Sequence, residues 1–390
     1  MDSTCRPGEA APRGIGPVIS LVLGASLLGA AWHHGIAGLF AAPLLAPFVV
    51  CAGTGARRWL VAAAYFLAGS SGLPAGAATF FGPSPPAALG VSLWIASASL
   101  LAVPWILAAD GIGVLIALAL DAFPPLGCVG WLSPLSAAGA LYPGMGLWGL
   151  ALLCVFLGSL AARKKSLVVS GIVLAVVANL RFLSYSSFPT EPAGWTGVDT
   201  RIGPLSQTIL AATLQRTAWL ASVRRQARHA RVVVLPETIA GPWWPGTAAQ
   251  IRAAASPGQV WLVGATVKRG HRLEDAVLEV RAGAPSDTLL FASPFPVPLS
   301  MWKPWSDNSY RAGAWEAVRT VAGLRVWAAI CYDQLLPWVW IEGLLQKPQA
   351  VLAISNDWWA RGTGIDAIQA ASTWSWTRLM GAALVRAQNR

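Results

Sequence analysis

Three short runs in the C-terminal half end on residues that can move protons or attack a carbonyl carbon. Val234-Leu235-Pro236-Glu237-Thr238 offers a carboxylate, Ala329-Ile330-Cys331-Tyr332-Asp333 a thiol, and Ser355-Asn356-Asp357 an amide beside an acid. Each closes a stretch of β-branched or small apolar residues, the pattern of a buried strand. The loops beyond strand ends are where α/β folds collect their chemistry. A thiol with a pKa near about 8.5 attacks poorly until a base takes its proton or a cation steadies the thiolate. Glu237 is the candidate base. Cys331 is the only cysteine of residues 191–390, since Cys5 lies in the N-terminal tail and Cys51, Cys128 and Cys154 in apolar segments. It therefore has no disulfide partner within its own half. By composition alone, a nucleophile and a small buried hydrophobe are equally good readings of that thiol.

The elements around these runs alternate. Ser206–Arg228 has helical spacing, with Ile209, Leu210, Leu214, Trp219 and Leu220 on one face. A strand begins at Arg231, a brief helix covers Ala248–Ala255, and strands follow at Val260–Val267 and Ala276–Arg281. Gly323–Tyr332 and Gln349–Ser355 read as buried strands, and Gly364–Ala387 as mostly helical. Buried strands separated by helices predict an α/β sandwich over residues 191–390.

The first half is different. Of 28 Lys/Arg and 17 Asp/Glu in 390 residues, residues 1–190 hold eight and four. The chain is 55% hydrophobic and 12% charged, against about 25% charged in an ordinary soluble domain. That excludes a disordered chain and argues against a wholly soluble one. After a polar tail, residues 1–15, seven apolar segments fill residues 16–184, each near the ~20 residues that span a bilayer. They are Gly16–Trp32, Gly35–Thr54, Trp59–Phe81, Ala87–Ala109, Gly111–Leu132, Ala137–Ala162 and Ser166–Leu183. The fifth is interrupted by Asp121, Pro124 and Pro125, and an Asp at that depth should face protein or water. With seven spans, Arg6 and Arg13, Arg57 and Arg58, and Arg163, Lys164 and Lys165 all fall on one side, the cytoplasm by the positive-inside rule. Residues 191–390 then lie on the opposite face, the periplasmic side of a bacterial inner membrane. The basic run Arg224–Arg231 reads as the solvated end of a helix, with contact to anionic lipid as the alternative. No motif for nucleic acid accompanies the net charge of +11.

Leu235-Pro236-Glu237-Thr238, Ile330-Cys331-Tyr332-Asp333, Ser355-Asn356-Asp357-Trp358-Trp359 and the closing Arg386-Ala387-Gln388-Asn389 together resemble the carbon–nitrogen hydrolase (nitrilase) superfamily. Seven apolar spans before such a domain resemble its membrane branch, the TraB-type conjugal-transfer proteins and the apolipoprotein N-acyltransferases. The resemblance implies an αββα sandwich over 191–390. It also implies a Glu base, a Cys nucleophile that forms an acyl-enzyme thioester, and a Lys that steadies the oxyanion, with no cofactor and no metal. Glu237 and Cys331 match by motif. The lysine does not. The family spacing, applied to Phe295-Pro296-Val297-Pro298-Leu299-Ser300-Met301-Trp302-Lys303, puts it at Ser293, and the family's second glutamate at Met301. Lys303, ten residues beyond, is taken as the lysine; the bland alternative is a surface cation between Trp302 and Trp305. The family also continues past its Arg-Ala-x-Asn strand, whereas this chain stops at Arg390, so a sheet edge is expected to be exposed or paired differently.

Tryptophan is abundant, 21 against five tyrosines. Trp243, Trp244, Trp302, Trp305, Trp338 and Trp340 are expected to form an apolar mouth for an acyl chain or hydrophobic peptide. Tyr332 and Asn356 join Trp243, Trp302, Trp305 and Trp338 as expected substrate contacts. The departures at Ser293, Met301 and the C-terminus favour the TraB-type branch. That branch implies membrane lipid, a hydrophobic peptide or pilin, and the conjugative machinery as partners. The alternatives are apolipoprotein N-acylation and an inactive membrane scaffold of a secretion channel. No G-x-S-x-G elbow, Walker A loop, H-E-x-x-H or paired C-x-x-C appears.

Overall fold

The computed structural model describes residues 15–82, 88–185, 191–206, 208–313 and 315–390. Arg6, Arg13 and Cys5, the start of the fourth apolar segment and much of the expected linker lie outside the described residues. The chain divides into two compact units. The first is Met1–Ser187 with Leu335–Trp338 and Ala360–Gly381; the second is Phe188–Gln334, Val339–Trp359 and Ala382–Arg390. Parts of the stretch 191–390, read from sequence as one domain, thus group with the apolar half.

The first unit is helical. Ile15–His34, Ala88–Leu107 and Lys165–Ser184 are each long and apolar enough to cross a membrane. Gly55–Gly69 with Leu73–Phe81, and Pro134–Leu141 with Gly146–Ala161, are apolar pairs bent by 49° and 120°, so the count becomes five if each pair is one span. Ile36–Cys51 and Gly111–Ala122 are shorter. Pro43 and Pro47 fall within the first of these, which is broken into Ile36–Ala41, Ala42–Leu44 and Leu45–Cys51. The second starts where Asp110 Oδ1 accepts from Gly113 N at 2.8 Å and stops before Phe123-Pro124-Pro125. Its 12 residues reach about 18 Å, well short of the ~30 Å hydrocarbon core. Asp121 is buried, and its Oδ2 accepts from Trp105 Nε1 at 2.7 Å, so it faces protein as expected. Leu27, Ile112, Trp148 and Leu180 are among many large apolar side chains left exposed on these helices.

Helix Ile365–Met380 belongs to this unit. A Cβ on Gly139 would meet the Ser375 carbonyl oxygen at 1.6 Å, so only glycine allows that approach. Ser375 Oγ accepts from Ala140 N at 3.0 Å. Arg378 donates to Asn179 Oδ1 at 2.9 Å, and its guanidinium lies 4.7 Å from the Phe182 ring and 4.5 Å from the Trp374 ring. A cleft of about 360 Å³ is lined by Leu141, Tyr142, Phe156, Val176, Asn179 and Leu183 among others.

The second unit is two sheets. The first has order β1 (Trp195–Gly197), β2 (Val232–Val234), β3 (Val260–Arg269), β4 (Arg272–Arg281), β5 (Thr288–Ala292). The second has order β6 (Arg319–Val321), β7 (Leu324–Ile330), β8 (Ala350–Asn356), β9 (Ala383–Asn389). Pairs β1–β2, β2–β3, β7–β8 and β8–β9 are parallel; β3–β4, β4–β5 and β6–β7 are antiparallel. Alternation along each strand sorts the side chains. Val232, Val234, Leu262 and Val277 share one core with Val326, Ile330, Leu352 and Val385, so the sheets are stacked face to face. Val233, Leu235, Trp261 and Val263 point the other way, onto Trp219, Leu220 and Val223 of helix Ile209–Gln226 and Ile251 and Ala254 of helix Pro245–Ala254. Helix Pro337–Gln346 covers the second sheet from Val339 on: Gly343 lies against the Trp327 ring, and the Trp327 and Trp340 rings pack at 5.5 Å, tilted by 54°.

Two expectations change here. Ile209, Leu210 and Leu214 are 74%, 72% and 62% exposed, so the apolar face of their helix is buried only from Trp219 onward. Gly364–Ala387 is not one helix, because Gly381, left-handed at φ 66°, ends it and β9 follows. At the C-terminal edge, β9 pairs with β8 and is bridged at Asn389 by Thr200.

Candidate active site

Parallel strands of the two stacked sheets bring their C-terminal ends to one place. Glu237 lies three residues past β2, Cys331 directly past β7, and Asn356 ends β8. Gly264 in β3 makes room for the first, since a Cβ there would stand 2.1 Å from the Pro236 oxygen and 2.7 Å from Glu237 Cα. The Glu237 carboxyl is buried and hydrogen-bonds the Cys331 thiol. Its Oε2 accepts from Asn356 N at 2.8 Å. Asn356 also donates through Nδ2 to Thr238 Oγ1 at 3.1 Å and accepts from Asn389 Nδ2 at 2.7 Å, so β9 braces the same corner. Cys331 has φ 49° and Thr238 φ 47°. Left-handed backbone at a non-glycine residue costs free energy and persists only where neighbours enforce it.

Asp333 does much of that enforcing. Its Oδ2 accepts from Ile330 N at 3.2 Å, and its Oδ1 from Ser293 Oγ and Phe295 N, each at 3.1 Å. Ser293, the position to which family spacing assigns lysine, is thus a buried serine tied to Asp333, and its N–H donates to the Asp275 carbonyl at 2.8 Å.

Lys303 is half-buried, and its backbone N–H donates to Ser309 Oγ at 2.8 Å. The strongest influences on the Cys331 thiol are burial and the acids Glu237, Asp357 and Asp275, all of which push its pKa well above the ordinary thiol value. No ion pair among the described residues joins Lys303 to these acids. Burial first, opposed by hydrogen bonds from Asp275 and Cys331, leaves the Glu237 carboxyl pushed up to about 7. Near neutral pH the pair is therefore a thiol beside a carboxyl poised to take a proton.

The aromatic expectations divide. Phe295 packs against Trp302 at 5.2 Å and Tyr332 at 6.4 Å, so these three rings gather next to Cys331. Trp305 is 71% exposed on the same loop. Trp243 is half-buried beside the outer core of the first sheet, and its N–H donates to Thr266 O at 2.8 Å. Trp338 groups with the first unit and packs near Gly127. Trp340, expected at the mouth, is fully buried, with Nε1 donating to Gln334 O at 2.8 Å: it is core.

Asp275 of β4 is the residue that sequence reading missed. It is buried, hydrogen-bonds Glu237, and lies two residues from Val277 on the face that looks into the stacked sheets. Its signal was present: two adjacent acids in one strand, Glu274 and Asp275, must point to opposite faces, so one of them points inward. Glu274 instead meets Arg311 at 3.4 Å and Arg269 at 3.7 Å. Among the described residues no group of three or more His, Cys, Asp or Glu side chains could hold a metal ion.

No family model matches the chain. A protein of Agrobacterium fabrum described as conjugal transfer protein TraB is 32% identical over 361 residues, covering 84% of this chain and 82% of the relative. A Sinorhizobium fredii protein described as a probable conjugal transfer protein TraB is 34% identical over 349 residues, covering 85% and 87%. A solved CN-hydrolase superfamily protein of Xanthomonas campestris is 16% identical, with 41% of this chain and 62% of that one covered, at a TM-score of 0.28. So slight a structural likeness carries no argument about chemistry.

Proposed function

The chain belongs to the family of TraB conjugal transfer proteins, and from that premise we propose that it is a membrane-bound, cysteine-dependent amide hydrolase or acyl transferase serving conjugal transfer. The observation that carries the chemistry is the hydrogen bond between the buried Glu237 carboxyl and the Cys331 thiol, made at a left-handed turn where two sheets' strand ends meet. In the proposed reaction Cys331 Sγ attacks a carbonyl carbon while its proton passes to Glu237. Glu237 returns that proton to the departing amine or alcohol. Water or an amine then cleaves the thioester and regenerates the thiol. The oxyanion would rest on N–H donors at the Cys331 turn, with Lys303 the cation expected from the sequence.

The apolar helices of the first unit support a membrane location with three to five crossings, and the basic segments of the sequence support an inner-membrane orientation with the second unit on the periplasmic side. The cleft beside Tyr142 and Asn179 suits a lipid acyl chain. Phe295, Trp302 and Tyr332 suit a hydrophobic peptide such as a pilin segment. One feature favours a second reading, the inactive scaffold: burial first, and then the acids Glu237, Asp357 and Asp275, all raise the Cys331 pKa. Mating assays separate the two. Cys331→Ala and Glu237→Gln, each expressed at wild-type level, should lower conjugation at least about tenfold if the thiol does chemistry. Wild-type mating by both variants would leave the scaffold reading.

A further inference from the structure

We infer that Asp275 is a positioning residue that holds the site's resident proton and, as a neutral group, donates it in a hydrogen bond to Glu237. The inference rests on the reading of Glu237 as base. Two buried carboxyls in contact cannot both carry charge, so one proton is shared between them. The donors decide where the charge sits. Glu237 receives the Asn356 N–H at 2.8 Å and lies against the Cys331 thiol. Asp275 has Glu237, while its Oδ1 is buried and without a hydrogen-bond partner among the described residues. Negative charge therefore settles on Glu237 and the proton on Asp275. Burial and the Glu237 charge raise the Asp275 carboxyl well above the usual carboxylate range, in the same sense.

The groups facing Glu237 come from four elements. They are Asp275 of β4, Cys331 past β7, Asp357 past β8, and Tyr310 on the loop after β5. Asp333 joins the set through Ser293, whose hydroxyl donates to Asp333 Oδ1 and whose N–H donates to the Asp275 backbone carbonyl. None of these is a cation, so the hydrogen bond from Asp275 is what lowers the cost of a charged Glu237. During the reaction the Asp275 proton stays in place. The thiol proton moves to Glu237 and on to the leaving group, so the site ends each cycle with the proton count it began with.

Infrared titration of the full chain in detergent tests this without relying on activity. Wild type minus Asp275→Asn at about pH 8 should contain a protonated-carboxyl band. Wild type minus Glu237→Gln should isolate a carboxyl titrating near 7. In Asp275→Asn, whose amide still donates, that midpoint should stay. In Asp275→Leu, which packs but cannot donate, it should rise by about one pH unit or more. An unmoved midpoint in Asp275→Leu, or no band lost in Asp275→Asn at about pH 8, overturns the inference. If Asp275→Leu does not fold, the Asp275→Asn difference decides alone. Mating efficiency reports separately on catalysis. A confirmed proton on Asp275 with harmless Cys331→Ala would sink the enzymatic reading and leave the positioning role standing.

Discussion

In the first unit, Arg378 is buried between the rings of Phe182 and Trp374, with Asn179 Oδ1 and the Gly139 carbonyl as its acceptors and no carboxylate paired to it among the described residues. In the second unit, Glu237, Asp275, Asp333 and Asp357 are buried near one thiol with serine where lysine was expected. Both units hold ionisable groups away from water. The first keeps a permanent charge and surrounds it with ring faces and amide oxygens, because a guanidinium does not give up its proton. The second holds groups that can be neutralised, and does so with protons. A fixed cation can only anchor. A set of shared protons can also deliver one, which is why the proposed chemistry is placed in the second unit.

The largest expected effect breaks the first half of this contrast. Gly139→Ala forces a methyl onto the Ser375 carbonyl and should cost about 3 kcal/mol, read as a lower thermal midpoint of the full chain in detergent. An unchanged midpoint would mean that the helix Ile365–Met380 is not anchored there. Arg378→Met keeps the stem but removes the fork and the ring contacts. It should cost about 2 kcal/mol, with little effect on the second unit's titrations. If Arg378→Met is neutral, the guanidinium is not the anchor described.

A pH series sharpens the second half. Glu237, Glu316 and Glu342 are each pushed up to about 7 from 4.5, chiefly by burial. The folded state therefore keeps protons that the unfolded chain releases above about 4.5. The stability tied to those protons is full below that value and is lost as pH rises through about 7. The thermal midpoint should fall by a few degrees between about pH 5 and 8, and Glu237→Gln should flatten the slope. A midpoint that climbs over this range would contradict the burial of neutral acids.

Much of this was legible in the sequence, and what escaped did so for physical reasons. Glu237, Cys331 and Asn356 could be read because each closes an apolar run, and parallel strands must end on the same side. Asp275 escaped because it sits mid-strand in Leu273-Glu274-Asp275-Ala276, where the pattern looks like solvent-facing charge. Trp340 was misplaced because a tryptophan near a reactive strand end looks the same in sequence whether it lines a mouth or packs against Trp327 in the core. The helix Ile365–Met380 was assigned with its sequence neighbours, and sequence proximity says nothing of the contacts that Gly139 and Asn179 make with it. That the family spacing lands on Ser293 was legible; that Ser293 is bonded to Asp333 was not.

The central claim is that Glu237 drives the Cys331 sulfur onto a carbonyl. Incubating the full chain with a long-chain activated acyl ester, then mapping thioesters by peptide mass, tests it directly. The account predicts an acyl group on the Cys331 peptide, formed at least about tenfold more slowly in Glu237→Gln. Acylation confined to the other cysteines, or equal rates with and without the carboxylate, would contradict it.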